Sequence, residues 1–251
     1  VAASNFNYAT GFAAINEMSS KSLINAMERV DDRIYAVGEH GIIIYSDDLG
    51  DNWTQSEIVP FTNTLTDIDC ISKKECWATG HDATILHSND SGKTWIKQYE
   101  DIDFDAPLLS IHMYESGEGI AIGAFALSLR TTDGGQSWGY LFMDDDDFQP
   151  HFNYVYGDSQ AWRKSSANEA YAVGEIGKYY ISDDKGLNWL VVSTGYDGSY
   201  WSGIKVDEGK SLLLGMSGNL TLITRYGPED IVPPEKFTSI ACYEAGYFKD
   251  D

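Results

Sequence analysis

SDDLGDNW (Ser46–Trp53), SNDSGKTW (Ser88–Trp95), TTDGGQSW (Thr131–Trp138) and SDDKGLNW (Ser182–Trp189) are four copies of one pattern, Ser/Thr-x-Asp-x-Gly-x-x-Trp. The tryptophans follow one another at 42, 43 and 51 residues (Trp53 to Trp95, to Trp138, to Trp189). A period in this range signals a propeller or solenoid array. Ahead of each copy stands a second repeat: YAVGEHGIIIYS (Tyr35–Ser46), WATGHDATILHS (Trp77–Ser88), AIGAFALSLRT (Ala121–Thr131) and YAVGEIGKYYIS (Tyr171–Ser182). A fifth, LLLGMSGNLTLIT (Leu212–Thr224), has lost the Asp/Trp motif. A further apolar run precedes each.

Every period thus holds four short segments rich in β-branched and aromatic residues, punctuated by Gly, Asp and Asn. For the second period these are Thr66–Ile71, Glu75–Thr79, Thr84–Ser88 and Thr94–Tyr99. The expected fold is all-β: a β-propeller of four-stranded antiparallel blades, six or seven in number with five legible. The blades fall near 23–58, 64–100, 108–143, 160–194 and 200–226, in a single domain. A partial blade follows at 237–251, and residues 1–22 are available to close the ring. Ile15–Met27 is the one ambiguous stretch, where a short helix or an irregular entry would fit. The early stop at Asp251 favours a natural protein that continues, and Val1 in place of Met suggests a processed or trimmed start.

In the repeated motif, Asp tolerates a turn and accepts bonds from nearby backbone N–H groups. Gly adopts a positive φ, and Trp is an apolar anchor whose N–H needs a partner. Asp48, Trp53, Asp90, Trp95, Asp133, Trp138, Asp184 and Trp189 are therefore read as scaffold.

The formal net charge is −22 and the pI about 4.3. Such a surface repels nucleic acid and anionic lipid, although a saline habitat would also explain it. No run approaches membrane-spanning length. Cys70 and Cys76 lie on two arms of one hairpin and are expected to form a disulfide, which implies an oxidising compartment. Their spacing matches no zinc site. His40 and His81 occupy similar turns but are read as surface residues, with no metal assigned.

The repeats in register resemble the Asp-box (BNR-like) propellers, and within them the photosystem II stability/assembly-factor-like family, over about Leu23–Thr224. GHDATILHSNDSGKTW (Gly80–Trp95) and the segment Asp105–Trp138 resemble a non-photosynthetic bacterial branch. That resemblance implies an exported, periplasmic protein accompanying a transporter of the resistance–nodulation–division (RND) type, with seven blades, an accessory role and no enzymatic activity. Asp-boxes also occur in sialidases, whose sites need an arginine cluster for the substrate carboxylate. The five arginines here, Arg29, Arg33, Arg130, Arg163 and Arg225, are scattered. A carbohydrate-binding or glycosidase-like propeller is the alternative reading.

Binding is expected on the side of the turns between second and third strands, where the copies differ. It comprises Glu39, His40, His81, Asp82, Phe125 and Glu175, with the links between blades. Those links hold the acidic run Glu100–Asp105, the long segment Leu141–Trp162 with Asp144, Asp145, Asp146 and Asp147, and Gly195–Trp201 with Tyr196, Tyr200 and Trp201. Exposed aromatics within acidic loops suit a protein partner, which would be basic. Calcium at Asp144–Asp147 is the one cofactor this arrangement admits.

Overall fold

The computed structural model describes residues 11–144, 149–157 and 168–231. The fold is an all-β propeller, with five four-stranded antiparallel sheets among these residues. Sheet 1 holds β1 (Ile24–Val30), β2 (Arg33–Gly38), β3 (Ile43–Ser46) and β4 (Thr54–Gln55). Sheet 2 holds β5 (Leu65–Cys70), β6 (Cys76–Gly80), β7 (Ile85–Ser88) and β8 (Ile96–Tyr99). Sheet 3 is built from β9 (Leu108–Met113), β10 (Gly119–Gly123), β11 (Ser128–Thr131) and β12 (Gly139–Tyr140). Sheet 4 comprises β13 (Phe152–Tyr156), β14 (Ala170–Gly174), β15 (Lys178–Ser182) and β16 (Leu190–Ser193). Sheet 5 comprises β17 (Tyr200–Asp207), β18 (Lys210–Gly215), β19 (Leu220–Thr224) and β20 (Gly227–Ile231). In every sheet the strands are ordered as they come along the chain.

The chain forms two compact units. One comprises residues 1–121 with 131–139, the other 122–130 with 140–251. The core of the first gathers Tyr35, Val37, Ile43, Leu65, Ile68 and Trp95. In the second, Tyr156, Tyr171, Val173, Tyr179, Tyr200 and Leu213 pack together.

Burial explains the composition of each strand. The second strands of sheets 2, 3 and 4 are buried throughout, so they read as continuous apolar runs with small residues, such as Cys76-Trp-Ala-Thr-Gly80. The fourth strands lie at sheet edges and are largely exposed, so they carry residues such as Thr54-Gln55 and Lys97-Gln98. The glycine ending the second strand is required by close approach. A Cβ at Gly80 would come 2.6 Å from Thr64 O, and one at Gly174 would come 2.5 Å from His151 O.

Of the two alternatives for Ile15–Met27 the structure has the irregular entry, in which a 3-10 turn at Ser19–Lys21 leads into β1. The sheet bounds and the long link need correction. Sheet 4 starts at Phe152 and not near residue 160, and sheet 5 runs on to Ile231. The long segment Leu141–Trp162 is consequently not one link. It contains β13, and the added length falls largely in the hairpin connection 157–169, where sheets 2 and 3 use only 71–75 and 114–118. Phe152 and Tyr156, which fall within that segment, are buried strand residues because β13 packs into the core. The partial blade at 237–251 lies outside the described residues.

Candidate functional site

The turns between second and third strands share one shape. Their central pairs, His40-Gly41, Asp82-Ala83, Phe125-Ala126, Ile176-Gly177 and Ser217-Gly218, all have positive φ, between 48° and 75°. Each closes with an N–H donated to the carbonyl three residues back, as from Ile42 N to Glu39 O (3.1 Å) and Thr84 N to His81 O (3.1 Å). This is the type I′ hairpin turn, whose twist matches that of the strands.

The turns are fixed to the chain around them. Gly41 N donates to Asn63 O (2.7 Å), Ala83 N to Ala106 O (2.9 Å), Ala126 N to Pro150 O (2.8 Å) and Gly177 N to Gly198 O (2.8 Å). Each acceptor belongs to the link that leads into the next sheet. Antiparallel order places these turns and the Asp-box hairpins at opposite ends of the strands.

Within this frame the expected binding residues divide into two groups. Several hold the scaffold. The Glu39 carboxylate accepts from Leu23 N (3.1 Å), and Glu175 in the equivalent position accepts from His151 N (2.9 Å). Asp144 is paired with Lys178 Nζ (2.6 Å) and accepts from Tyr180 Oη (3.0 Å), with only 11% of its side chain exposed. It is therefore not part of an open acidic rim. Tyr200 is fully buried, and its hydroxyl donates to Thr221 Oγ1 (2.8 Å). It is a core residue and not a docking aromatic, because β17 begins at that position. Trp201, next to it on β17, is half-buried. Asp145, Asp146 and Asp147 lie outside the described residues.

The other group faces solvent. Phe125 is 52% exposed and stands edge-on to the His151 ring at 4.9 Å. His81 is exposed, while His40, Asp82 and Tyr196 are half-buried. Asp82 accepts from Asn63 Nδ2 (3.3 Å), and Tyr196 Oη donates to Met216 O (3.1 Å). Two residues that sequence reasoning passed over join them. Ile102 (64% exposed) and Phe104 (40%) project from the acidic link, which Asp101 N secures to Asp82 O (3.1 Å). Their signal was apolar residues alternating with acids between two strands. Among the described residues no group of three or more His, Cys, Asp or Glu side chains is placed to hold a metal ion.

The third-position aspartates of the Asp-boxes bond within their own turns. The Ser46 hydroxyl donates to Asp48 (2.7 Å) and accepts from Gly50 N (2.8 Å), while Asp48 also accepts from Asn52 N and Nδ2 (2.8 and 2.7 Å). Asp90, Asp133 and Asp184 repeat this arrangement. Trp95 Nε1 and Trp189 Nε1 donate to Gly92 O (3.2 Å) and Gly186 O (3.0 Å). The Asn52 bonds hold the Asp48 carboxyl below its ordinary value. At Asp90 burial pushes upward, but the bonds from Thr94, Ser88 and Lys93 outweigh it and the net direction is down. Cys70 and Cys76, partners across β5 and β6, are joined by a disulfide.

The family model described as photosynthesis system II assembly factor YCF48 matches residues 55–251. The chain belongs to that family. Among curated relatives of the YCF48 family, the photosystem II assembly lipoprotein Ycf48 of Synechococcus sp. (strain CC9902) is 26% identical over 183 residues, 66% of this chain and 51% of that protein. The photosystem II stability/assembly factor HCF136, chloroplastic, of Arabidopsis thaliana is 27% identical over 162 residues, 55% of this chain and 38% of that protein. The chain thus spans about half or less of the relatives it matches. Among solved structures, YCF48 bound to D1 peptide superposes with a TM-score of 0.61 at 16% identity, covering 82% of this chain and 66% of that one. An ancestral GH74 enzyme gives 0.68 at 11%, covering 84% and 31%. The WD40 propeller of Doa1 gives 0.60 at 13%, covering 86% and 69%. At such identities these three show the fold alone.

Proposed function

We propose that this protein is a non-enzymatic assembly or accessory factor that binds a membrane protein complex, with residues of its type I′ turns and of the links beside them making the contacts. The observation that carries the reading is the family match across residues 55–251, whose relatives are named as assembly factors. The finer reading, an exported periplasmic protein serving an RND-type transporter, rests on the resemblance of Gly80–Trp95 and Asp105–Trp138 to that bacterial branch. The Cys70–Cys76 disulfide agrees with an oxidising compartment. Long links on a rigid scaffold are where binding residues concentrate, and Phe125, Ile102 and Phe104 offer anchors of the kind interfaces use.

Affinity capture from gently solubilised membranes of the native source, read by mass spectrometry, tests this. The expected result is a stoichiometric transporter, lost on replacing Ile102, Phe104 and Phe125 by Ser. Recovery of the propeller alone would sink the reading and turn attention to carbohydrate, tested on glycan arrays and in glycosidase assays.

A further inference from the structure

A type I′ turn needs positive φ at both central positions, which Asn, Asp and Gly adopt readily and bulky or β-branched residues adopt at a cost. The first central residue is polar in three of the turns: His40 in sheet 1, Asp82 in sheet 2 and Ser217 in sheet 5. In sheets 3 and 4 it is Phe125 (φ 55°) and Ile176 (φ 52°). Neither recovers the cost by full burial, since Phe125 is 52% and Ile176 41% exposed. The fold does not require them, because Asn or Gly would close the same turns with less strain. Strain of this kind collects where a side chain serves a ligand.

The two residues belong to one row. Phe125 meets the His151 ring, and His151 is joined to Glu175 twice, through His151 N to Glu175 Oε2 (2.9 Å) and Glu175 N to His151 O (3.2 Å). Ile176 follows directly. Gly177 N then donates to Gly198 O (2.8 Å), in the link that holds Tyr196, and Tyr196 Oη donates to Met216 O (3.1 Å) at the turn of sheet 5. Met216 is 44% exposed. Phe125, Ile176, Tyr196 and Met216 thus line an apolar ridge along the turns of three successive sheets, all within the second compact unit.

The charge beside this ridge has one sign. Glu175 precedes Ile176, and the exposed Asp197 follows Tyr196. Lys178, the only cation in the three turns, is paired with Asp144 (2.6 Å). A net −22 repels a second copy of the chain and an anionic lipid surface alike. Apolar anchors beside carboxylates suit instead a segment that brings its own cations. Given the partner-binding role proposed above, we infer that Phe125, Ile176, Tyr196 and Met216 form the docking ridge for a partner segment whose apolar residues stand beside Lys or Arg, and that Ile176 is kept in its strained turn for that contact.

Short synthetic peptides in which Leu and Phe alternate with Lys, titrated against the full chain by fluorescence anisotropy, test the ridge. Control peptides carry Ser in place of Leu and Phe, or Glu in place of Lys. The chain is expected to bind the first set and to bind either control about tenfold more weakly or less. Ile176→Asn, whose side chain suits the turn, is expected to weaken the first set about tenfold and yet to raise the thermal midpoint by roughly 2 °C. A variant that binds as the wild type does, melts lower or fails to fold overturns the inference, as does equal binding of the Ser peptides. Wild-type association with phosphatidylcholine vesicles, or a dimer in sedimentation velocity, either of them lost in Ile176→Asn, would assign the ridge to a membrane or a second copy and overturn it too. Membrane capture is a separate result: no partner captured sinks the accessory role, whereas peptide binding unchanged by Ile176→Asn sinks the ridge alone.

Discussion

The Asp90 carboxylate shows how one residue can serve as scaffold. It accepts from Ser88 Oγ (2.9 Å), Lys93 N (3.0 Å), Thr94 N (2.9 Å) and Thr94 Oγ1 (2.6 Å), bonds that close the turn and leave little acceptor capacity for anything else. Asp90→Ala orphans those donors and is expected to cost about 2 kcal/mol at pH 7, measured by urea unfolding. The folded carboxyl is depressed, so its contribution is present above the unfolded value near pH 4 and is lost as pH falls through the folded one. The difference between variant and wild type should therefore shrink toward pH 3. The repeated spacing made this role legible in the sequence. For Tyr200 composition misled, since an aromatic in an acidic, glycine-containing stretch reads as exposed whether a loop or a strand follows. The register of β17 is what buries it.

Among elements, the second strands are the most constrained. A Cβ at Gly174 would meet the backbone carbonyl of His151, which cannot swing aside as a side chain can. Gly174→Ala is expected to cost about 2 kcal/mol, whereas Gly139→Ala, with nothing within 4 Å, should stay within about 0.5 kcal/mol. Chemical denaturation of the two variants side by side checks the contrast. The disulfide belongs to the same scale. It closes the short hairpin Cys70–Cys76, so Cys70→Ser with Cys76→Ser should lower stability by about 2 kcal/mol by the loop-entropy relation. Intact masses differing by two daltons with and without reductant would confirm the bond in solution, and identical masses would refute it. The strands of sheet 2 were readable to within two residues, because turn residues bracket each run. The start of sheet 4 was not, since Phe152–Tyr156 resembles an aromatic loop until β14 is seen to pair with it.

At the scale of the molecule, charge is the dominant quantity. A net −22 spread over a propeller repels itself, and the compact state feels this more than the unfolded one. Raising salt from 0.1 to 1 M shortens the screening length from about 10 to about 3 Å. The thermal midpoint at pH 7 is therefore expected to rise with KCl. A midpoint that falls or does not move would show that the acids are already compensated by local bonds, as those of the Asp-boxes are.

The sequence by itself determined the repeat, the four-stranded unit, the scaffold role of the Asp-boxes and the family, because each depends on local spacing and on conformations that particular residues favour. Tertiary structure alone decided which polar residues are free to act. Glu39, Glu175 and Asp144 look like rim acids in the chain, yet they are engaged by Leu23 N, His151 N and Lys178, groups brought to them from 16 to 34 residues away.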